Sequence, residues 1–105
     1  MNNAVHTTIN EWHQMTNDVL NLKEISPNRT QQLLQQTRLV IASYAKETLV
    51  PKAVVKLFGE MDEFLYFASM MEDNEVRMDF YHYQDISCEV KAIKETFYAF
   101  GYNHT

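Results

Sequence analysis

The chain holds one cysteine, two glycines and two prolines in 105 residues. One cysteine excludes an intramolecular disulfide framework and any zinc site built from several thiolates. Two isolated glycines cannot supply the glycine-spaced loop that cradles a nucleotide's phosphates. So little Gly and Pro also excludes a loop-rich or low-complexity chain. Long apolar runs are missing too. In the second half the longest uncharged, mainly apolar stretch is Phe64–Met71, eight residues, whereas a membrane-spanning helix needs about 20. Residues 1–12, MNNAVHTTINEW, lack the basic start and apolar run of a signal peptide. A cytoplasmic protein is the expectation. Basic side chains are few, nine against fourteen acidic ones, for a net charge of −5. Affinity for phosphate backbones comes from clustered Lys and Arg, so a nucleic-acid partner is disfavoured.

What is present is unevenly spread. Residues 1–50 carry four basic and four acidic side chains, while residues 51–105 carry five basic and ten acidic ones. The acidic excess is densest through Glu60, Asp62, Glu63, Glu72, Asp73, Glu75, Asp79 and Asp85, opposed there by Arg77 alone. Eleven of the thirteen aromatic residues lie from Phe58 onward, Trp12 and Tyr44 being the exceptions. The first half reads as scaffold, and the second half holds the unusual chemistry.

The apolar residues recur with the period of a helix. Val5, Ile9, Trp12, Met15, Val19 and Leu22 step by three or four, which predicts a first helix over 4–24. Ser26-Pro27 is a helix start, a serine N-cap followed by a proline whose missing N–H costs nothing at the first position. From there a second helix over 27–48 buries Leu33, Leu34, Thr37, Val40, Ile41 and Tyr44, with Gln31, Gln32, Gln35 and Gln36 in solvent. Pro51 interrupts the pattern. A third helix over 51–72 carries Val54, Phe58, Met61, Leu65 and Ala68; it includes Gly59, where either a neighbouring helix approaches closely or, the favoured reading, a cost of about 1 kcal/mol is simply tolerated. After the polar turn at 72–75, a fourth helix over 74–100 buries Val76, Phe80, Tyr83, Ile86, Val90, Ile93, Phe97 and Phe100, with Gly101 as its left-handed cap.

Four helices of similar length joined by short connections predict one all-α domain over 1–105, an antiparallel up-down-up-down four-helix bundle. The alternative is an α+β fold. Residues 76–83 also alternate with a period of two, and pairing them with Phe64–Met70 would make a hairpin around residues 64–83.

Catalytic and metal chemistry find little support. Asp85 and Glu89 flank Cys88 within one helical turn and oppose formation of a thiolate, so Cys88 reads as a half-buried structural residue. Glu75, Asp79 and His82 share one helical face at i, i+4 and i+7, the best candidate for metal ligation. A carboxylate-bridged di-metal bundle needs such a carboxylate–histidine pair twice, and none of the remaining histidines has an acidic residue three positions earlier. A solvated acidic face accounts for the same three residues. Glu60 and Glu63 read equally plainly as a solvated pair. No enzyme, no metal and no cofactor is therefore expected. Tyr81, Tyr98 and Tyr102 fall off the core stripe, and exposed tyrosines beside acidic residues suit a protein-binding surface. Shielding of a small core's rim is the plainer reading of these tyrosines. Met61, Met70 and Met71 fit a core or a dimer seam equally, which leaves a homodimer open.

Residues 44–57, YAKETLVPKAVVKL, set an amphipathic helix, a break at Leu49-Val50-Pro51-Lys52 and an apolar helix start in succession. This passage, with Leu65-Tyr66-Phe67 and Asn74-Glu75-Val76-Arg77, resembles the immunity proteins of pediocin-like bacteriocins, the enterocin A immunity group in particular. The resemblance implies a cytoplasmic antiparallel four-helix bundle that protects a bacteriocin-producing cell without catalysis. It further implies association with the mannose phosphotransferase permease that serves the bacteriocin as receptor. Recognition in that family is attributed to the C-terminal half, which here points to Tyr98, Phe100 and Tyr102. Many members are basic, and this chain departs from them. Its acidic half would be repelled by anionic inner-leaflet lipid, yet it complements the Lys/Arg-rich cytoplasmic loops of a membrane protein. The rival function is a small acidic inhibitor that covers a basic cytosolic partner.

Overall fold

Val5, Ile9, Trp12, Met15 and Val19 are all buried, and they form one face of a helix. A computed structural model describes residues 3–46, 52–72 and 83–100 of the chain. Within them lie four helices: α1 (Asn3–Leu20), α2 (Pro27–Ala42), α3 (Lys52–Glu72) and α4 (Tyr83–Tyr98). The all-α expectation holds.

The helix ends follow from local chemistry. At the start of α2 the Ser26 hydroxyl accepts from the Arg29 backbone N–H at 3.1 Å, with Pro27 in the first turn, as the sequence predicts. The end of α1 comes earlier than the apolar period suggests. Leu22 takes a left-handed conformation, φ 61°. Its N–H donates to the Val19 carbonyl at 3.0 Å, and the Lys23 N–H donates to that of Asp18 at 2.8 Å. These are the paired bonds of a Schellman C-cap, with leucine where glycine is usual. Leu22 therefore leaves the stripe and lies half exposed, and α1 stops at Leu20 instead of 24. Beyond Ala42 the N–H groups of Tyr44 and Ala45 donate three residues back, so α2 tightens into a turn.

The third helix runs to Glu72 and thus through the whole of Phe64–Met70. That removes the first strand of the α+β alternative, because the 3.6-residue burial period continues through Phe64 and Ala68. The other half of that pairing, up to His82, lies outside the described residues, as does the predicted start of the fourth helix at 74.

Cross-helix contacts fix the directions. Along α1 and α2, Asp18 meets Arg29 and Trp12 meets Thr37, so the two run antiparallel. Asp62–Lys94 and Phe58–Phe97 give the same sense for α3 and α4. By contrast Arg38 meets Glu89, and Ile41 and Ala42 lie with Ala92, Ile93 and Thr96, so α2 and α4 run parallel. Direction alternates along the chain. Side by side, however, the neighbours are α1–α2, α2–α4, α4–α3 and α3–α1. Helices α2 and α3, successive in sequence, therefore face one another across a diagonal. The 23 × 23 Å cross-section of the molecule is two helices by two, each about 10–12 Å across.

Inside this square sit Trp12, Phe64, Phe97, Met15, Leu34, Ile41, Leu57, Met61 and Ile86, all fully enclosed. Leu57 and Phe64 widen the α3 stripe beyond the five predicted positions, and Leu65 is only partly buried. Ile25, between the first two helices, is also fully buried; no periodic pattern marks a lone apolar residue in a connection. Of the three methionines in question, Met61 is core, Met71 packs partly against the core and Met70 is half exposed. Thr8, Thr16, Thr30 and Thr37 are buried, each hydroxyl donating to the carbonyl four residues earlier. The expected solvated glutamine face holds for Gln31, Gln32 and Gln35. Gln36 instead turns inward, and its amide donates to Thr8 Oγ1 at 2.8 Å.

Candidate functional site

The last turn of α4 presents the aromatic group that the sequence singles out. Phe97 is buried on the core stripe, and its ring meets Phe58 of α3 edge to face at 5.4 Å. Tyr98, one residue on, necessarily points about 100° away from Phe97. It is 58% exposed, yet its ring is braced edge-on by Phe58 at 6.2 Å and Phe97 at 6.0 Å. Phe100 lies against Phe97 at 6.1 Å and is half buried, so it extends the core edge more than it offers free surface. Tyr98 and Phe100 thus share one end of the bundle through Phe97. Tyr81 and Tyr102 lie outside the described residues.

Tyr98 forms one wall of a groove of about 360 Å³ between α3 and α4. Leu65 and Val90 make its apolar part; Asp62, Lys91, Lys94 and Glu95 supply charges of both signs. Lys94 pairs with Asp62 across the groove, and its ammonium lies 5.8 Å from the centre of the Phe58 ring. The stem of Lys94 therefore covers apolar surface while its head stays wet. Chemically the groove offers a braced aromatic, a short apolar strip and mixed charge. A second cleft of about 270 Å³, between α2 and α4, is mostly apolar and is edged by Arg38 and Thr96.

The predicted metal ligands Glu75, Asp79 and His82 lie outside the described residues. Within them, a different trio converges: His13 of α1 with Glu60 and Glu63 of α3, whose ligand atoms all lie within 4.8 Å of one another. His13 Nδ1 is 3.3 Å from Glu60 Oε1. The trio spans two helices, so no spacing within one helix marks all three residues. The available signal was the i, i+3 spacing of the two glutamates, together with a histidine next to a core tryptophan. Cys88 is exposed, not half buried as expected; it sits two residues from both Ile86 and Val90, on the opposite side of α4 from the core.

Other exposed apolar groups have no counterpart among the expected binding residues. Tyr66 and Met70, one turn apart on α3, are 61% and 50% exposed, and the Tyr66 ring lies edge-on to Phe67 at 5.2 Å. Leu39 and Val55 are likewise exposed. Among the described residues no helix is long and apolar enough to cross a membrane. No protein-family model, curated protein or solved structure matches this chain.

Proposed function

We propose that this is a non-enzymatic binding protein of the bacteriocin-immunity type. In this reading it protects its cell by associating, from the cytoplasmic side, with a mannose phosphotransferase permease carrying bound bacteriocin. The observation that carries the reading is the likeness of YAKETLVPKAVVKL to the helix–Pro–helix passage of the enterocin A immunity group, in a chain of similar length. Tyr98 is the best-placed contact residue: an exposed ring already held in one position by two neighbours loses little freedom on binding.

The test is a protection assay in a permease-bearing, bacteriocin-sensitive strain challenged with a panel of pediocin-like peptides. Survival against one peptide, with killing by the others, is the expected outcome. Tyr98→Ala should then reduce survival while leaving helical content unchanged by circular dichroism. Killing by every peptide, with the protein folded and abundant, removes the reading. The acidic excess of residues 51–105 favours a second one, an inhibitor that binds a basic cytosolic protein by charge complementarity. Its mark is capture of such a partner at low salt and its release as ionic strength rises.

A further inference from the structure

Among the described residues each seam between neighbouring helices carries one contact between ionisable side chains, and in three of the four a Lys or Arg meets a carboxylate. Asp18 pairs with Arg29 across α1/α2, Glu89 with Arg38 across α2/α4, and Asp62 with Lys94 across α3/α4. The α1/α3 seam is different. There His13 faces Glu60 and Glu63, and among the described residues neither glutamate lies within 4 Å of a Lys or Arg nitrogen. Two carboxylates this close repel one another, and no Lys or Arg among the described residues stands beside them to balance the pair. Glu60 is only 19% exposed, so solvent screens its charge incompletely.

The spacing fits a metal ion. Zinc bonds to imidazole nitrogen and carboxylate oxygen are about 2.0–2.2 Å, which sets tetrahedral ligand atoms about 3.3–3.5 Å apart. His13 Nδ1 and Glu60 Oε1 stand 3.3 Å apart without any rearrangement. Glu63, one turn further along α3 on the same face, is exposed and free to swing in. The backbone on both sides is fixed by the core, since Trp12, next to His13, packs its ring against Phe64, next to Glu63, at 5.6 Å. One imidazole and two carboxylates leave a fourth position for water and suit zinc above manganese in the usual affinity order.

We propose that the α1/α3 seam is a divalent-metal site, with His13, Glu60 and Glu63 as ligands and zinc as the best-fitting ion. The proposal does not depend on the immunity reading. The experiment is calorimetric titration of the full-length, untagged protein with Zn²⁺ alone, with Co²⁺ as a spectroscopic probe. One Zn²⁺ per chain is expected, with a rise in melting temperature and visible Co²⁺ absorption of the intensity that four-coordinate sites give. His13→Ala and the isosteric Glu63→Gln should each weaken Zn²⁺ by about tenfold or more, whereas His6→Ala, at an exposed histidine elsewhere on α1, should not. Both ligand variants alter exposed side chains, and their helical content is checked by circular dichroism. The proposal fails if no stoichiometric binding occurs. It fails equally if binding survives both ligand variants undiminished.

Discussion

Trp12 is the largest fully enclosed side chain in the bundle, and its indole N–H has no access to water. It donates instead to Thr37 Oγ1 at 3.0 Å, and that hydroxyl passes its own hydrogen to the Leu33 carbonyl at 2.7 Å. A single threonine thus satisfies a buried donor while keeping its hydroxyl hydrogen on its own helix. Thr37→Val keeps the shape and removes the acceptor, leaving the indole donor orphaned. The expected loss is about 1–3 kcal/mol, read from the midpoint of urea unfolding. Thr37→Ser keeps the oxygen and removes one methyl group, so its expected loss is smaller, about 0.8 kcal/mol. A valine variant as stable as the parent would show that the bond contributes nothing net. The threonines at 8, 16 and 30 are less exacting: Thr16 and Thr30 serve only their own helix, and Thr8 receives the amide of Gln36 at a partly buried position.

At the scale of the helix, two residues stand where local preference would place others. Gly59 occupies the interior of α3, and a Cβ there would meet nothing within 4 Å. Leu22 occupies the left-handed cap of α1, where a Cβ is disfavoured. Gly59→Ala should therefore stabilise the protein by about 1 kcal/mol, and Leu22→Gly should do so by up to about 1 kcal/mol. Both would appear as a raised melting temperature; a fall in either would mean that the native residue makes contacts outweighing its backbone cost. These two sites also mark what the sequence could and could not reveal. The Ser26-Pro27 start was legible because its chemistry is local, one hydroxyl reaching one N–H three residues on. The end of α1 was not, because Leu22 continues the apolar period and a left-handed leucine has no residue-type signature. The core stripes of α2 and α4 were legible from periodicity, whereas Ile25, outside any period, was not. In the candidate site, Tyr98 was visible as an aromatic off the stripe. The His13–Glu60–Glu63 trio depends on which helices become neighbours, and periodicity gives each helix a face without naming its partner.

The neighbour order α1–α2–α4–α3 makes the whole molecule a pair of antiparallel hairpins, one holding residues of the first half and the other residues of the second. Their shared face is the core. Trp12 of the first hairpin meets Phe64 of the second, and Ile41 and Ile93 line the α2/α4 cleft from its two sides. Neither hairpin has an alternative surface on which to bury those residues, and a chain of about 50 residues buries too little surface alone to offset its ordering entropy. Fragments 1–50 and 51–105 should accordingly be largely unfolded apart and regain helix when mixed in equal amounts. Trp12, the single tryptophan, reports the event: its emission should be that of an indole in water for fragment 1–50 and shift to the blue on mixing. Charge predicts the salt response. Fragment 1–50 has four charges of each sign while fragment 51–105 has a net charge of −5, so no long-range attraction draws them together. Association driven by apolar burial should survive salt that weakens the partly exposed ion pair between the fragments, Arg38–Glu89, which contributes little in any case. A cooperatively folded fragment 1–50 with buried tryptophan would overturn the two-hairpin account, and complementation abolished by moderate salt would assign the interface to its ion pairs instead.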